Sequence, residues 1–213
     1  MEVSPPPENT TQQQSQEFNL VNAYNAPLWV VTCTDDEENN YFRTGCIVGC
    51  VGCASLPSAD GGRMVVSISV GHKTTEVVKR TGKFVLNLLC SQQLPLVRHF
   101  GFQSGHSVDK FDPKHGAEVF KYWVSKEYNL PIICDTCGWM VLEVVQSVEF
   151  PDRIVFICNI TKQQVDMKED DLIQKEVYLY GSSAGTNNAL TCKTPLRCYD
   201  VFTANRNSTT EKK

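Results

Sequence analysis

Short runs of β-branched and other apolar residues, divided by polar turn residues, dominate the middle of the chain and predict a β-rich fold. The predicted strands are Leu28–Thr32, Cys46–Cys50, Met64–Ser69, Phe84–Leu89, Trp139–Val145 and Arg153–Cys158. The last two runs flank a turn signal at Pro151 and Asp152, so they predict an antiparallel hairpin.

Two helices are predicted between these strands. The first covers Thr74–Thr81, where threonine hydroxyls are expected to cap free amides and Gly82 follows as the terminating residue. The second covers about Leu94 to Phe100. Because strands do not alternate with helices as in βαβ units, a parallel doubly wound sheet is disfavoured. The pattern predicts a mainly β protein, a small closed or nearly closed barrel with peripheral helices.

The two ends of the chain have a different composition from its middle. Residues 1–17 include three consecutive prolines and a glutamine-rich tract, which predict a disordered tail because they bury little apolar surface. Residues 203–213 are similarly polar and predict a second disordered tail. The folded domain is therefore expected over residues 18–202.

Composition and charge narrow the classes of function. The 213 residues include 20 Lys and Arg against 24 Asp and Glu, for a net charge of −4. The sequence contains no cluster of basic residues of the kind that binds nucleic acid, so a nucleic-acid partner is not expected. No apolar run approaches the roughly 20 residues that cross a bilayer, and no signal peptide precedes the domain, so a cytoplasmic protein without a membrane partner is expected. The ten cysteines are then expected to be reduced thiols.

The junction between the third strand and the first helix is the most informative segment for chemistry. Helix N-termini carry unpaired amides and partial positive charge, and here Lys73, Thr74 and Thr75 follow the pliable Gly71. This arrangement predicts a seat for a phosphate group; the alternative is an ordinary capped helix with a solvated lysine. A nucleotide triphosphatase loop is rejected, because His72 separates the glycine from the lysine.

The remaining motifs predict no metal site and no self-sufficient hydrolase. Cys46, Cys50 and Cys53 have a spacing used for iron–sulfur clusters, but on a strand the first two lie about 13 Å apart and the third points to the other face. Cys134 and Cys137 form one pair without a well-spaced second pair, so packed thiols are favoured over zinc. No metal-binding histidine pattern or nucleophile elbow occurs. Bound-cofactor chemistry or pure binding remains.

The order and spacing of several segments resemble the flavin reductase-like family of FMN-binding split barrels, which includes flavoredoxin. The matching segments are Thr44–Val48, Ala54–Pro57, Arg63–Ser69, His72–Glu76, Gly82–Leu89 and Phe100–Phe111. Two departures are an insertion at residues 58–62 and a poor match over Leu190–Tyr199. The resemblance implies a split barrel that binds FMN, with the FMN phosphate at the start of the first helix.

The resemblance also implies which residues serve the cofactor. Those assigned to FMN are Arg43, Thr44, Gly45, Cys46, Cys53, Ala54, Ser55, Ser69, His72, Lys73, Thr74, Thr75 and Asn87. Asp109, Lys110 and Phe111 would belong to a loop beside the flavin where a nicotinamide approaches, and Phe111 would cover the ring when the partner is absent. Within these groups, Ser69 and Asn87 could instead only support the barrel, and His72 could be a surface side chain.

The implied activity is an NAD(P)H-dependent flavin reductase. Hydride from NADH or NADPH passes to the flavin N5 and the electrons continue to an acceptor, which requires no catalytic acid or base from the protein. Members of the family are typically homodimers with the flavin near the subunit interface. One alternative is an FMN-holding electron carrier reduced by a redox protein partner. Another is an interaction domain that keeps the barrel without a cofactor.

Overall fold

A computed structural model of the protein describes residues 26–35, 42–55 and 62–166. The predicted disordered tails, residues 1–17 and 203–213, lie outside these ranges, and so do residues 58–61 of the insertion and the segment Leu190–Tyr199. The domain boundaries at residues 18 and 202 therefore stay predictions.

The described residues form nine strands and two α-helices. The strands are β1 (Trp29–Asp35), β2 (Phe42–Val48), β3 (Val51–Ser55), β4 (Arg63–Ser69), β5 (Lys83–Leu88), β6 (Tyr122–Val124), β7 (Pro131–Ile133), β8 (Gly138–Glu149) and β9 (Arg153–Val165), and the helices are α1 (Lys73–Thr81) and α2 (Leu94–Gly101). Each predicted strand and helix overlaps one of these elements. The strands β3, β6 and β7 were not predicted, because β3 is built from small residues and the other two have three residues each.

Seven strands form one antiparallel sheet in the order β2-β1-β5-β8-β9-β4-β3, while β6 and β7 pair separately. The two edge strands, β2 and β3, are consecutive in the chain and are joined by residues 49 and 50 alone. Such a connection spans about 10 Å at most. The sheet must therefore curl until its edges approach, which makes a barrel that is split between β2 and β3. The predicted mainly β, barrel-like fold with peripheral helices is confirmed.

The hairpin of β8 and β9 joins the two halves of the sheet. Its strands have 12 and 13 residues, and the Phe150 amide donates to the Arg153 carbonyl at 2.8 Å across the turn that contains Pro151 and Asp152. On one side β8 pairs with β5, and on the other β9 pairs with β4. The predicted hairpin is therefore confirmed, and its strands extend beyond the apolar runs that predicted them.

Helix α1 ends as the sequence predicts but begins differently. At its end Gly82 has φ 67°, a left-handed conformation that glycine adopts without steric cost, and its amide donates to the Val78 carbonyl at 2.9 Å. At its start the threonine caps were wrong: His72 is the N-cap residue and makes no side-chain cap. The Thr75 hydroxyl donates to the Ser69 carbonyl at 2.6 Å instead. The threonines thus hold the helix against the sheet.

Two apolar clusters fix the helices on the sheet. One packs α1 against the barrel and includes Val77 and Phe84, both fully buried. The other lies under α2, where the ring of Phe111 is 5.8 Å from that of Phe100 and 5.0 Å from that of Tyr122. Neither α1 nor α2 in the described part of the chain has the length and apolar character of a membrane-crossing helix.

Candidate functional site

A pocket of about 240 Å³ opens between the start of α1, the end of α2 with the loop that follows it, and β2. Its lining comprises Cys46, residues 71–74, residues 100–106 and Lys110. Five residues predicted for the site are therefore brought together here, namely Cys46, His72, Lys73, Thr74 and Lys110. The fold achieves this because β4 delivers the chain directly into α1 beside the edge strand β2.

The first turn of α1 provides amide donors to this pocket. The His72 carbonyl accepts from the amides of Thr75 at 2.9 Å and Glu76 at 3.4 Å. Among the hydrogen bonds of the described ranges, none uses the amides of Lys73 or Thr74. These two amides lie at the positive end of the helix dipole, where an anion is stabilised.

The charged side chains at this helix start include one acid. The Lys73 ammonium lies 3.3 Å from Glu76 Oε2, and the ring Nε2 of His106 lies 3.8 Å from Glu76 Oε1. Burial lowers the pKa of His72, and the positive charge of Lys110 lowers it further, so that imidazole is neutral at pH 7. Glu76 therefore partly offsets the positive charge of Lys73.

The loop that follows α2 closes tightly on α1 at Gly105. A Cβ atom at this position would lie 3.0 Å from Thr44 Oγ1 and 3.2 Å from Lys73 Cβ, so a larger residue would require these side chains to shift by a few tenths of an ångström. The same loop is held by His106, whose Nε2 is 3.3 Å from the Gly71 carbonyl oxygen. Gly105 thus lets this wall of the pocket pack closely against β2 and α1.

Lys110 is the most buried charged group of the pocket. Only 3% of the residue is exposed, and Nζ donates to the carbonyls of Gly45 at 2.9 Å and Phe100 at 2.8 Å. Burial lowers the pKa of Lys110, while the neighbouring Cys46 thiol opposes that shift. Within the described residues Lys110 forms no ion pair with a carboxylate.

Cys46 is a protonated thiol in this setting. Burial raises its pKa to about 11, although a hydrogen bond with Thr74 and the charge of Lys110 both act in the opposite direction. A thiol with so high a pKa is a poor nucleophile at neutral pH. Cys46 therefore contributes shape and polarisable surface to the pocket rather than covalent chemistry.

Four further predicted residues border the pocket through their contacts. Thr44 Oγ1 lies 3.4 Å from Thr74 Oγ1, and Gly45 supplies the carbonyl that Lys110 binds. Ser69 and Thr75 join the end of β4 to the first turn of α1. None of these four residues lines the pocket itself, but each contacts a residue or an element that does.

Other predicted residues lie elsewhere in this chain. Cys53, Ala54 and Ser55 are exposed on β3, and Ser55 pairs with Arg63, six residues or about 20 Å along β4 from Ser69. Because successive side chains of a strand alternate, Arg43 points to the face of β2 opposite Thr44. The Arg43 Nε is buried without a hydrogen-bond partner in the described part of the protein.

The last three predicted residues have structural partners. Asn87 is fully buried in β5, with its side chain bonded to the Val30 carbonyl at 3.1 Å and to the Ile133 amide at 2.9 Å. The carboxylate of Asp109 accepts from the Phe111 amide at 2.9 Å. Phe111 itself is only 6% exposed and belongs to the aromatic cluster under α2, so it does not cover the pocket in this conformation.

The sequence reasoning missed the loop residues that form the outer wall of the pocket. They are Phe102, Gln103, Ser104, Gly105 and His106. Phe102 is 71% exposed, which is unusual for an aromatic ring that lines a pocket. The available signal was the polar, glycine-containing stretch between Phe100 and Asp109, which lies inside the matched segment but was assigned no role.

The cysteine motifs do not converge in the described residues. Cys46 is buried while Cys50 and Cys53 are exposed. Cys134 lies in the turn between β7 and β8, where burial raises its pKa, and nearby the Cys90 thiol lies 3.5 Å from the Asp135 carbonyl oxygen. Within the described ranges no three His, Cys, Asp or Glu side chains are placed to hold a metal ion.

The donors in the pocket fit a phosphate monoester. The amides of Lys73 and Thr74, the ammonium groups of Lys73 and Lys110 and the helix dipole supply positive potential. The pocket is slightly smaller than the ~300–1,000 Å³ typical of sites that enclose a whole ligand. The volume would admit a phosphate group and the first atoms attached to it.

Comparison with known proteins gives a consistent result. Residues 21–184 match the model of the family described as the flavin reductase like domain. No curated protein matches the chain. The family that the resemblance of the sequence suggested is thereby confirmed.

Solved structures share the fold at low identity. The flavoredoxin of Methanosarcina acetivorans is 20% identical with a TM-score of 0.57, and the match covers 81% of this chain and 80% of that one. The FMN-binding protein of Thermus thermophilus with bound p-hydroxybenzaldehyde is 19% identical with a TM-score of 0.56, covering 78% and 82%. The NADH:FAD oxidoreductase of Streptomyces globisporus C-1027 in complex with NAD and FAD fragments is 17% identical with a TM-score of 0.53, covering 67% and 76%.

Proposed function

The chain belongs to the flavin reductase like family, and from that premise we propose that it binds FMN and transfers hydride from NADH or NADPH to the flavin, whose electrons then pass to an acceptor. The observation that carries this proposal is the pocket itself. It joins the free amides of Lys73 and Thr74 to a buried ammonium at the edge of the barrel.

The first turn of α1 would hold the phosphate of FMN. The amides of Lys73 and Thr74 donate to phosphate oxygens, and the Lys73 ammonium exchanges Glu76 for the new anion. The neutral His72 adds a hydrogen-bonding ring without adding charge. Cys46, with Thr44 and Gly45 beside it on β2, would border the part of the cofactor next to the phosphate.

The ring of the flavin would lie at the rim of the pocket, where residues of the protein would orient it. Phe102 offers an exposed aromatic face there, a surface on which planar rings stack. When bound, the flavin supplies the atom that accepts hydride, so the protein has to position the two rings and needs no acid or base. The segment Asp109–Phe111 anchors the loop that bounds this side of the pocket.

We also assign the protein to a homodimer, because exposed surface remains on the barrel. β3 is an edge strand whose residues 52–55 are exposed, and the far end of the β8–β9 hairpin exposes Val145, Val148 and Phe150. A partner that covered this surface would bring Cys53, Ala54 and Ser55 toward a flavin. Light scattering on a sizing column should give twice the mass of 23.9 kDa, and a monomer at micromolar concentration would refute the assignment.

The activity is tested by rapid mixing of the FMN-loaded protein with NADH or NADPH without oxygen. Bleaching of the ~450 nm flavin band at a rate that saturates with the dinucleotide would support the proposal. No bleaching by either dinucleotide, combined with reduction by a reduced ferredoxin-like protein, would leave the electron-carrier alternative. Protein that binds no flavin at all would leave the interaction domain.

A further inference from the structure

The loop that follows α2 forms the outer wall of the pocket, and the last turn of α2 holds both of its ends. At its start the Phe102 amide donates to the Arg98 carbonyl at 3.0 Å, and at its end the Lys110 carbonyl oxygen lies 2.7 Å from the ring Nε2 of His99. We propose that His99 is a positioning residue, whose buried N–H fixes the end of this loop and so slows the release of a bound flavin. The part of this inference that concerns the flavin rests on the proposed function, while the part that concerns the loop does not.

The protonation of the His99 ring makes it a donor to the loop. Burial lowers the pKa of His99, the hydrogen bond with the Lys110 carbonyl opposes that shift, and the charge of the Lys110 ammonium adds to it. The imidazole is therefore neutral at pH 7, with a hydrogen on one of its two nitrogens. Because a carbonyl oxygen can only accept, Nε2 carries this hydrogen and donates it to Lys110.

The surroundings of His99 keep its ring in this orientation. Only 5% of the residue is exposed, and its ring lies 4.9 Å from that of Phe100, edge to face, and 5.3 Å from that of Phe120. Gly116 also comes close, since a Cβ atom there would lie 3.8 Å from Nδ1. A donor that packing already holds in place loses little conformational entropy when it binds the carbonyl, and burial strengthens the bond.

The bond from His99 differs from the other attachments of the loop. The Lys110 ammonium donates to carbonyls of β2 and α2, but a long, flexible side chain separates it from the main chain. Toward α1, the Nε2 of His106 lies 3.3 Å from the Gly71 carbonyl oxygen at an exposed position, where a hydrogen bond contributes little. The bond from His99 holds the main chain itself and is buried.

The pocket connects this bond to a ligand. Residues 71–74 of the α1 start and residues 100–106 line the same pocket, so a ligand there lies between α1 and the loop. A loop opens at a rate and to an extent set by the bonds that opening breaks. Loss of the His99 donor would leave the Lys110 carbonyl without this partner, make opening easier and speed the departure of the ligand.

The test compares the wild type with three variants. His99→Phe keeps an aromatic ring but has no donor, and His99→Gln places a side-chain amide near the position of Nε2. Phe156→Leu is the matched control, because Phe156 is buried in the barrel, does not line the pocket, and should lower the free energy of unfolding without touching the loop.

Two measurements follow the loop. Hydrogen exchange of the Val108 amide, which donates to the Ser104 carbonyl at 3.0 Å, reports loop opening in the protein without flavin. Recovery of FMN fluorescence after dilution of the complex reports release of the flavin. His99→Phe should speed both about 5- to 20-fold, as the loss of one buried hydrogen bond does, while His99→Gln and Phe156→Leu should stay within about threefold of the wild type.

Each outcome decides the inference. Unchanged FMN release in a folded His99→Phe overturns it, and so does an equal acceleration by Phe156→Leu, which would attribute the effect to lost stability alone. A wild type that binds no flavin overturns the proposed function, whereas exchange at Val108 still decides whether His99 holds the loop. If circular dichroism shows that His99→Phe does not fold, His99→Asn takes its place, because its shorter side chain does not reach the Lys110 carbonyl, and the same thresholds apply.

Discussion

Two buried polar side chains, Asn87 and Lys110, differ in the hydrogen-bond partners that their surroundings provide. Asn87 is enclosed by β1, β5 and β7, where its Nδ2 donates to the Val30 carbonyl and the Thr32 hydroxyl and its Oδ1 accepts from the Ile133 amide. Lys110 donates to two carbonyls and borders an open pocket. In the described part of the chain, the Asn87 amide has partners for both its nitrogen and its oxygen, whereas the Lys110 ammonium has no carboxylate partner.

The difference separates a structural group from a binding group. Both N–H groups and the oxygen of the Asn87 amide have a partner, so this residue joins three strands and has little capacity for a ligand. Within the described residues, the partners of the Lys110 ammonium are two neutral carbonyls. Burial and polarity are common to both residues. An ammonium group without a counter-ion among the described residues is therefore the feature that indicates a ligand-binding region.

The largest effect is expected from removing the complete network. Asn87→Ala leaves the Ile133 amide without its partner and removes the bonds to Val30 and Thr32 in a buried region, which should lower the free energy of unfolding by about 3 kcal/mol. Urea denaturation followed by circular dichroism measures this loss. Asn159→Ala is the matched control, because its partly exposed bond to Arg63 should contribute less than about 1 kcal/mol. A loss of FMN binding by folded Asn87→Ala, without a loss of stability, would reverse the comparison.

The next effect concerns the pocket and separates an amide from a side chain. Lys73 is the first residue of α1, a position that accepts proline, and His72 has ψ 134°, which suits a residue before proline. Lys73→Pro removes both the amide donor and the ammonium, and should weaken FMN about 30- to 100-fold. Lys73→Ala removes only the ammonium, and should weaken it about tenfold.

Fluorescence titration with FMN and riboflavin measures both variants. Riboflavin should bind each of them as it binds the wild type, since it has no phosphate. Equal FMN affinities for Lys73→Pro and Lys73→Ala would show that the amide has no role. Equal losses of affinity for FMN and riboflavin would contradict the proposal that α1 binds the phosphate.

Much of this arrangement could be predicted from the sequence, because local signals specify it. Apolar runs, Gly82 and the turn at Pro151 and Asp152 located the hairpin and α1, and the matched segments located Lys73 and Thr74. Packing decided what the sequence could not show. Phe111 lies in an aromatic cluster and Phe102 at the rim, although both are phenylalanines of the same matched segment. Likewise, the partners of Asn87 come from β1 and from β7, a short strand that the pattern missed.

A third, pH-dependent effect follows from Cys46. Its pKa is about 11 in the folded protein, above the ordinary thiol value, so the unfolded chain loses this proton first as the pH rises. The stabilising contribution is therefore complete below about pH 9 and is lost progressively as the pH rises through 11. Between pH 9 and pH 11 the free energy of unfolding of the wild type, measured by urea denaturation, should fall by about 1–2 kcal/mol more than that of Cys46→Ala. If the free energies of unfolding of the two proteins changed equally with pH, the burial of this thiol would be contradicted.

The smallest effect should be a gain. Glu76 competes with any anion for Lys73, at 3.3 Å from its ammonium. Glu76→Gln removes this competition and should strengthen FMN about two- to fivefold without changing riboflavin. Glu118→Gln is a control, because Glu118 is exposed and does not line the pocket. Weaker FMN binding by Glu76→Gln would mean that the carboxylate helps to build the site.

The central claim, that the pocket at the start of α1 binds the phosphate of a flavin, is tested most directly by the ratio of two dissociation constants on the wild-type protein. Calorimetry or fluorescence titration with FMN and with riboflavin, at one pH and one salt concentration, gives that ratio. The free amides and the two lysines predict FMN binding at least about 100-fold tighter than riboflavin binding. Equal affinities for the two flavins would contradict the account.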